Sequence, residues 1–164
     1  MSVKPTPSLK PRYATPRNLA RPTDGGKEAR IAEALGTPFL PWQRMVSDVF
    51  GEIDPDTGTY YYDTLVLTVQ RQAGKTTRER ATETRNALWG PNRRVWYLAQ
   101  TGKDASQQFR EYITGFDKSP LAPLAASKRM SNGSMCLTLK NGSTIQPGGT
   151  TDSGGHGFQG DSLT

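Results

Sequence analysis

The chain has 164 residues, of which 34% are hydrophobic, and this length suits one domain with a core of its own. It carries 21 Lys and Arg against 15 Asp and Glu, a formal net charge of +6. No run of 18 apolar residues and no apolar stretch behind the first basic residues is present, so the sequence shows neither a membrane span nor a secretory signal. The single cysteine, Cys136, excludes an internal disulfide framework, and its alternation with apolar residues in "SMCLTL" predicts a buried thiol.

The first 26 residues are basic and hold five of the twelve prolines. We predict that this segment, 1–26, is a disordered or extended arm, because it lacks apolar periodicity. A flexible basic arm can hold a polyanion by releasing counterions, and the candidate nucleic-acid contacts are Lys4, Lys10, Arg12 and Arg17. The alternative is a solvated tail that only keeps the protein soluble.

Two short helices are predicted next. Residues 26–36, "GKEARIAEALG", place Ile31, Ala34 and Leu35 on one face and end at Gly36. The stretch "LPWQRMVSDVFG" follows, with a proline suited to a first helical position. Its apolar residues have helical spacing: Trp42, Met45, Val46, Val49 and Phe50.

The remaining elements alternate between strand and helix. Residues 59–70, rich in β-branched and aromatic residues, predict a buried central strand. A helix is expected at 76–90, a buried strand at 93–101 and a helix at 102–116. After a proline-containing connection at 119–125, Asn141-Gly142 predicts a hairpin within 135–147, and 148–164 is predicted to be a loop. This order indicates an α/β three-layer sandwich around a mainly parallel sheet.

The stretch "VQRQAGKTT", residues 69–77, joins the predicted strand to the predicted helix and ends like a phosphate-binding loop. Gly74 permits close backbone approach, Lys75 supplies a positive charge, and Thr76 supplies a hydroxyl for magnesium. Arg71 adds a second charge that suits a triphosphate. Val69 replaces the usual first glycine of this motif. The alternatives are a turn that binds no ligand, and an Arg71 that only pairs with a carboxylate.

Three further residues are candidate ligand contacts by residue type. Trp42 and Gln43 lie upstream of the loop, where an aromatic ring beside an amide suits a base, although both also fit an ordinary helix start. His156 is the only histidine, and without a second histidine or a cysteine cluster it is expected to face solvent or pack in a loop rather than to bind metal.

Taken together, these motifs resemble the large terminase subunit of tailed bacteriophages. The loop is similar to the deviant Walker A of that family, which often has an apolar first residue and an internal arginine. "LPWQ" is similar to its adenine motif, and residues 95–109 and 139–164 look like the following strand, helix, hairpin and glycine-rich approach to Walker B. The resemblance covers residues from about 38 to the last one.

The resemblance implies a P-loop ATPase domain of the additional-strand class, here incomplete, at 27–164. It implies ATP and Mg²⁺ as cofactors, with Lys75 and Arg71 as the catalytic residues and Thr76 as the magnesium contact. The ATP-binding residues would be Trp42, Gln43, Gln70, Arg71, Gln72, Ala73, Gly74, Lys75, Thr76 and Thr77. The implied partners are double-stranded DNA, the portal ring, the small subunit and further copies in a ring. The implied location is the host bacterial cytoplasm, with no membrane.

One departure from the family pattern changes the expected activity. The Walker B strand and the nuclease domain are not found in the sequence, and neither Asp152 nor Asp161 ends an apolar strand. We therefore expect the 164-residue chain by itself to hydrolyse ATP very slowly or not at all. The alternative functions are another P-loop translocase of the helicase type, or a non-catalytic protein that binds DNA or a partner through its basic arm.

Overall fold

A computed structural model describes residues 11–150 and 160–163 of the chain. The described helices are α1 (Gly25–Ala34), α2 (Pro41–Phe50), α3 (Lys75–Leu88) and α4 (Gly102–Asp117), with one short 3₁₀ turn at Ala122–Leu124. The described strands are β1 (Arg94–Ala99), β2 (Ala125–Arg129), β3 (Cys136–Leu139), β4 (Thr144–Gly149) and β5 (Ser162–Leu163).

The five strands form one mixed sheet in the order β2-β3-β4-β1-β5. β1 runs parallel to β4 and β5, whereas β3 runs antiparallel to both β2 and β4. The prediction of a mainly parallel sheet is therefore wrong, because two of the four strand pairings are antiparallel. The reason is local, because the tight turn at Asn141-Gly142 reverses the chain and so makes β3 antiparallel to β4.

The core lies between the sheet and the two longer helices. Val95 of β1, Leu137 of β3 and Ile145 of β4 are fully buried and pack against Phe109 and Phe116 of α4. α3 joins the same core through Ala87 and touches α4 where the Thr84 and Tyr112 hydroxyls lie 2.9 Å apart. On the described residues, α3 and α4 thus share one face of the sheet, and the third layer of the predicted sandwich is not seen.

The predicted strand at 59–70 is not a strand among the described residues. Its only ladder contact is an isolated bridge between Tyr60 and Ile53, and from 62 to 73 the backbone makes no hydrogen bond within the described parts of the chain. Leu65 and Leu67 are half-buried, whereas Val66 between them is 85% exposed. The β-type alternation is present, but a ladder also needs a neighbouring strand, and the described sheet provides none here.

The C-terminal part of the predicted arm is attached to the domain. Thr23 forms a bridge with Glu52, and α1 already begins at Gly25. The guanidinium of Arg17 is half-buried and lies 2.9 Å from the Glu52 carboxylate, so Arg17 does not belong to a free basic arm. Arg12 is exposed, as predicted for the arm, while Lys4 and Lys10 lie outside the described residues.

Most of the remaining elements match their predictions. α1, α2, α3, α4 and β1 begin and end within one or two residues of the predicted limits. The hairpin is confirmed, with Gly142 at φ 83° in the turn and Leu137 opposite Ile145. β2 was missed, and the predicted terminal loop in fact contains the end of β4 and the two residues of β5. Cys136 is half-buried rather than buried, because Leu137 and Leu139 occupy the inner face of β3.

Candidate phosphate-binding site

The loop before α3 has an unusual backbone conformation at two of its residues. Gly74 has φ 93° and Gln72 has φ 60°, so both lie in the left-handed region. α3 begins directly afterwards at Lys75. The sequence prediction of a loop that turns sharply into a helix is thus confirmed in its geometry.

The first turn of α3 presents free donors. The first intrahelical bond into this turn runs from the Arg78 N–H to the Gly74 carbonyl at 3.4 Å. The N–H groups of Lys75, Thr76 and Thr77 have no acceptor among the described residues, and no acidic side chain lies in this turn. A helix start with unpaired N–H groups attracts anions, since these groups carry the positive end of the helix dipole.

Two cationic residues flank this helix start in the sequence. Lys75 and Arg71 are both exposed, and neither makes a hydrogen bond or a close ion pair with a described residue. Arg71 therefore does not pair with a carboxylate within the described chain, which was the alternative for this residue. The charge of Lys75 acts on the Glu79 carboxyl at longer range.

Gln43 supports the loop from α2. Its Nε2 donates to the Gly74 carbonyl at 2.7 Å, and its Oε1 accepts from the Leu40 N–H at 2.6 Å. The residue is only 1% exposed. The apolar residues predicted to form the buried face of α2 are half-buried, whereas Gln43 and Ser47 are fully buried. This face is polar because it meets the loop and α3 rather than the hydrophobic core.

A buried polar cluster fastens α1 and α2 to α3. Arg78 is 4% exposed, its Nε donates to the Ser47 hydroxyl at 3.2 Å, and its Nη2 lies 3.6 Å from a Glu28 oxygen. Glu28 also accepts a hydrogen bond from the Thr82 hydroxyl. Burial lowers the pKa of Arg78, and the Glu28 charge opposes that shift. Sequence reasoning missed this cluster, although Glu28 interrupting the apolar pattern of α1 was a signal.

Thr76, in the first turn of α3, lines a small cavity together with Arg80, Tyr97 and Gln108. The Tyr97 hydroxyl donates to the Gln108 side-chain oxygen at 2.6 Å, and burial raises the pKa of Tyr97 to about 12. On α3, burial raises the pKa of Glu79, and the positive charge of Lys75 opposes that shift.

The other predicted site residues take various positions. Gln70 and Gln72 are exposed, Ala73 and Thr77 are half-buried, and Trp42 is half-buried on α2 beside Gln43. The adenine contacts predicted for Trp42 and Gln43 stay a prediction. Asp161 was not expected to be catalytic, and its carboxylate accepts from the Arg94 N–H at 2.8 Å where β5 joins β1. Asp152 and His156 lie outside the described residues.

In residues 11–150 and 160–163, no group of three or more His, Cys, Asp or Glu side chains is placed to hold a metal ion. Within the same ranges, none of the helices has both the length and the apolar character needed to cross a bilayer.

Comparison with known proteins places this arrangement in a known fold. No protein-family model matches the chain, and no curated protein matches it. Among solved structures, the large terminase of bacteriophage HK97 matches with a TM-score of 0.66 at 15% sequence identity, over 84% of this chain. The chain has the fold of a phage large terminase. It spans 30% of the length of that terminase, so the fold is shared with a part of it. The resemblance to phage large terminases is thereby confirmed at the level of the fold, whereas the P-loop three-layer sandwich stays a prediction.

Proposed function

We propose that this chain is the ATP-binding segment of a terminase large subunit, in the motor that packages double-stranded DNA into procapsids. The observation that carries the proposal is the start of α3, where three N–H groups have no acceptor among the described residues. Lys75 is the first residue of this helix, Arg71 precedes it in the same loop, and the fold is shared with part of a terminase. Such N–H groups and basic side chains are the groups that bind the phosphates of a nucleotide.

The residue types at the start of α3 suit ATP with magnesium. Lys75 would hold the outer phosphates, and Thr76, the next residue of α3, would supply a hydroxyl ligand to the ion. Arg71 would contact the γ-phosphate. Bound Mg²⁺-ATP would supply the phosphoryl group, and the chain's own part is to bind and orient it. The proposed partners are DNA, the portal, the small subunit and further copies of the subunit in a ring.

Nucleotide binding is the step to measure, because the proposal rests on the phosphate-binding groups at the start of α3. Mg²⁺-ATP is titrated calorimetrically into the parent protein and into Lys75→Ala. We expect the variant to lose affinity by at least about tenfold, since a charge-assisted contact to phosphate contributes about 1.5–3 kcal/mol.

The matched control is Lys103→Ala, which removes an exposed lysine from the first turn of α4. It should bind Mg²⁺-ATP like the parent. Equal binding by the parent and Lys75→Ala, or no binding by the parent, would contradict the proposal.

A further inference from the structure

Gln43 occupies a position in which its amide has a defined orientation. The Leu40 N–H can only donate and the Gly74 carbonyl can only accept, so Oε1 must face the first and Nε2 the second. Both contacts are short, at 2.6 and 2.7 Å. The side chain is almost wholly buried, so water does not replace either contact easily.

The contact between α2 and the loop continues along both helices. Gln43 meets Gly74, and one helical turn later Ser47 meets Arg78. The fit at Gly74 is close, because a Cβ built there would lie 3.0 Å from Nε2 of Gln43. The carbonyl that Gln43 holds belongs to the residue with φ 93°, which turns the loop into α3. Loss of this hydrogen bond would therefore release the turn that aims the N–H groups of 75–77.

We propose that Gln43 is a positioning residue that holds the loop in its phosphate-binding shape, and that it acts equally on any polyphosphate whether or not the ligand carries a base. This inference rests on the proposed nucleotide binding at Lys75. It differs from the adenine contact predicted from the sequence, because a residue that reads the base has no effect on a ligand that lacks one.

The test compares Mg²⁺-ATP with inorganic tripolyphosphate, titrated separately into the parent chain and into Gln43→Leu. Leucine keeps most of the volume of the side chain and removes both hydrogen bonds. We expect the affinity for both ligands to fall by the same factor, about tenfold, as for the loss of one buried hydrogen bond. A loss confined to ATP, or no loss for either ligand, would overturn the proposal.

A second variant separates the hydrogen bond to Gly74 in the loop from the hydrogen bond that caps α2 at the Leu40 N–H. Gln43→Glu keeps an acceptor for the Leu40 N–H, but at pH 8 a carboxylate cannot donate to the Gly74 carbonyl. We expect it to lose affinity for both ligands at least as strongly as Gln43→Leu. If it binds both ligands like the parent, the cap alone matters and the proposal fails. Gln107→Leu, which alters an exposed glutamine bonded within α4, is the matched control and should bind like the parent.

A measurement without ligand keeps this inference separate from the proposed function. The Arg78 amide donates to the Gly74 carbonyl, the group that Gln43 holds. Its hydrogen exchange should speed up in Gln43→Leu relative to Gln107→Leu, while exchange in β1 stays unchanged. If the parent binds neither ligand but this local effect is present, nucleotide binding fails and the positioning of the loop stands. If exchange at Arg78 is the same in both variants, Gln43 does not hold the loop.

Discussion

Nη1 of Arg21 lies 3.0 Å from Oε2 of Glu52, and the Glu52 side chain has no exposed surface. The other carboxylate oxygen accepts from the Asn18 N–H at 2.7 Å and pairs with Arg17. Three groups from the N-terminal segment thus converge on one carboxylate of the domain. The residues around Arg17 and Arg21 are held by this convergence together with the stacking of the Arg21 guanidinium on the Tyr61 ring.

Replacement of Glu52 tests this anchor. Burial by itself would raise the pKa of Glu52, but the hydrogen bonds from Asn18, Arg21 and Arg17 outweigh it and lower the pKa below its ordinary value of 4.5. The stabilisation is therefore complete above pH about 4.5 and is lost as the pH falls through the lower value in the folded state. We expect Glu52→Gln to lower the free energy of unfolding by about 1–3 kcal/mol at pH 7.

The measurement is urea unfolding of the parent and of Glu52→Gln between pH 7 and pH 2. The two curves should converge at the acid end, where Glu52 is protonated. Glu111, an exposed carboxylate with a lowered pKa, gives the control variant Glu111→Gln, which should change stability much less at pH 7. A difference between parent and Glu52→Gln that is constant with pH would show that the charge of Glu52 is not the cause.

Gln72 is predicted to carry backbone strain. At φ 60° a side chain costs about 1–3 kcal/mol, whereas glycine adopts this conformation freely. We expect Gln72→Gly to be as stable as the parent or slightly more stable. Gln72→Val should be less stable by about 1–2 kcal/mol, since a β-branched residue is disfavoured there. Thermal unfolding of both variants measures this difference. Equal stability of Gln72→Val and Gln72→Gly would show that residue 72 is not held in the left-handed region.

Residues 62–73 are predicted to exchange their amide hydrogens fast. Their backbone makes no hydrogen bond within the described chain, and Val66 is exposed. The amides of β1, which pairs with β4 along its length and with β5 at Val95 and Trp96, should be protected by comparison. Hydrogen exchange read by mass spectrometry, peptide by peptide, distinguishes the two segments. Protection of 62–73 similar to that of β1 would reveal a ladder partner that the described residues do not include.

We predict that removing only the Arg78 charge of the Arg78–Glu28 pair lowers the free energy of unfolding more than removing both charges. Arg78→Met leaves the buried Glu28 carboxylate with the Thr82 hydroxyl alone, so we expect a loss of about 3–5 kcal/mol in unfolding free energy. The double variant Glu28→Gln, Arg78→Met removes the unpaired charge and should recover part of that loss. Urea unfolding of the parent, the two single variants and the double variant checks this. Purely additive losses would show that the two charges do not interact.

Local pattern by itself determined the helices, β1, the hairpin at Asn141-Gly142 and the loop that turns into α3 at Gly74. These features follow from periodicity, turn chemistry and glycine conformation, which depend on residues close together in the chain. Only the tertiary structure decided which strands pair, that 59–70 finds no partner among the described strands, and that Arg17 is tied to Glu52. The tertiary structure also decided the place of Gln43. Its amide fits a base or a backbone carbonyl equally well as a chemical group, and the packing of α2 on α3 brought it against Gly74.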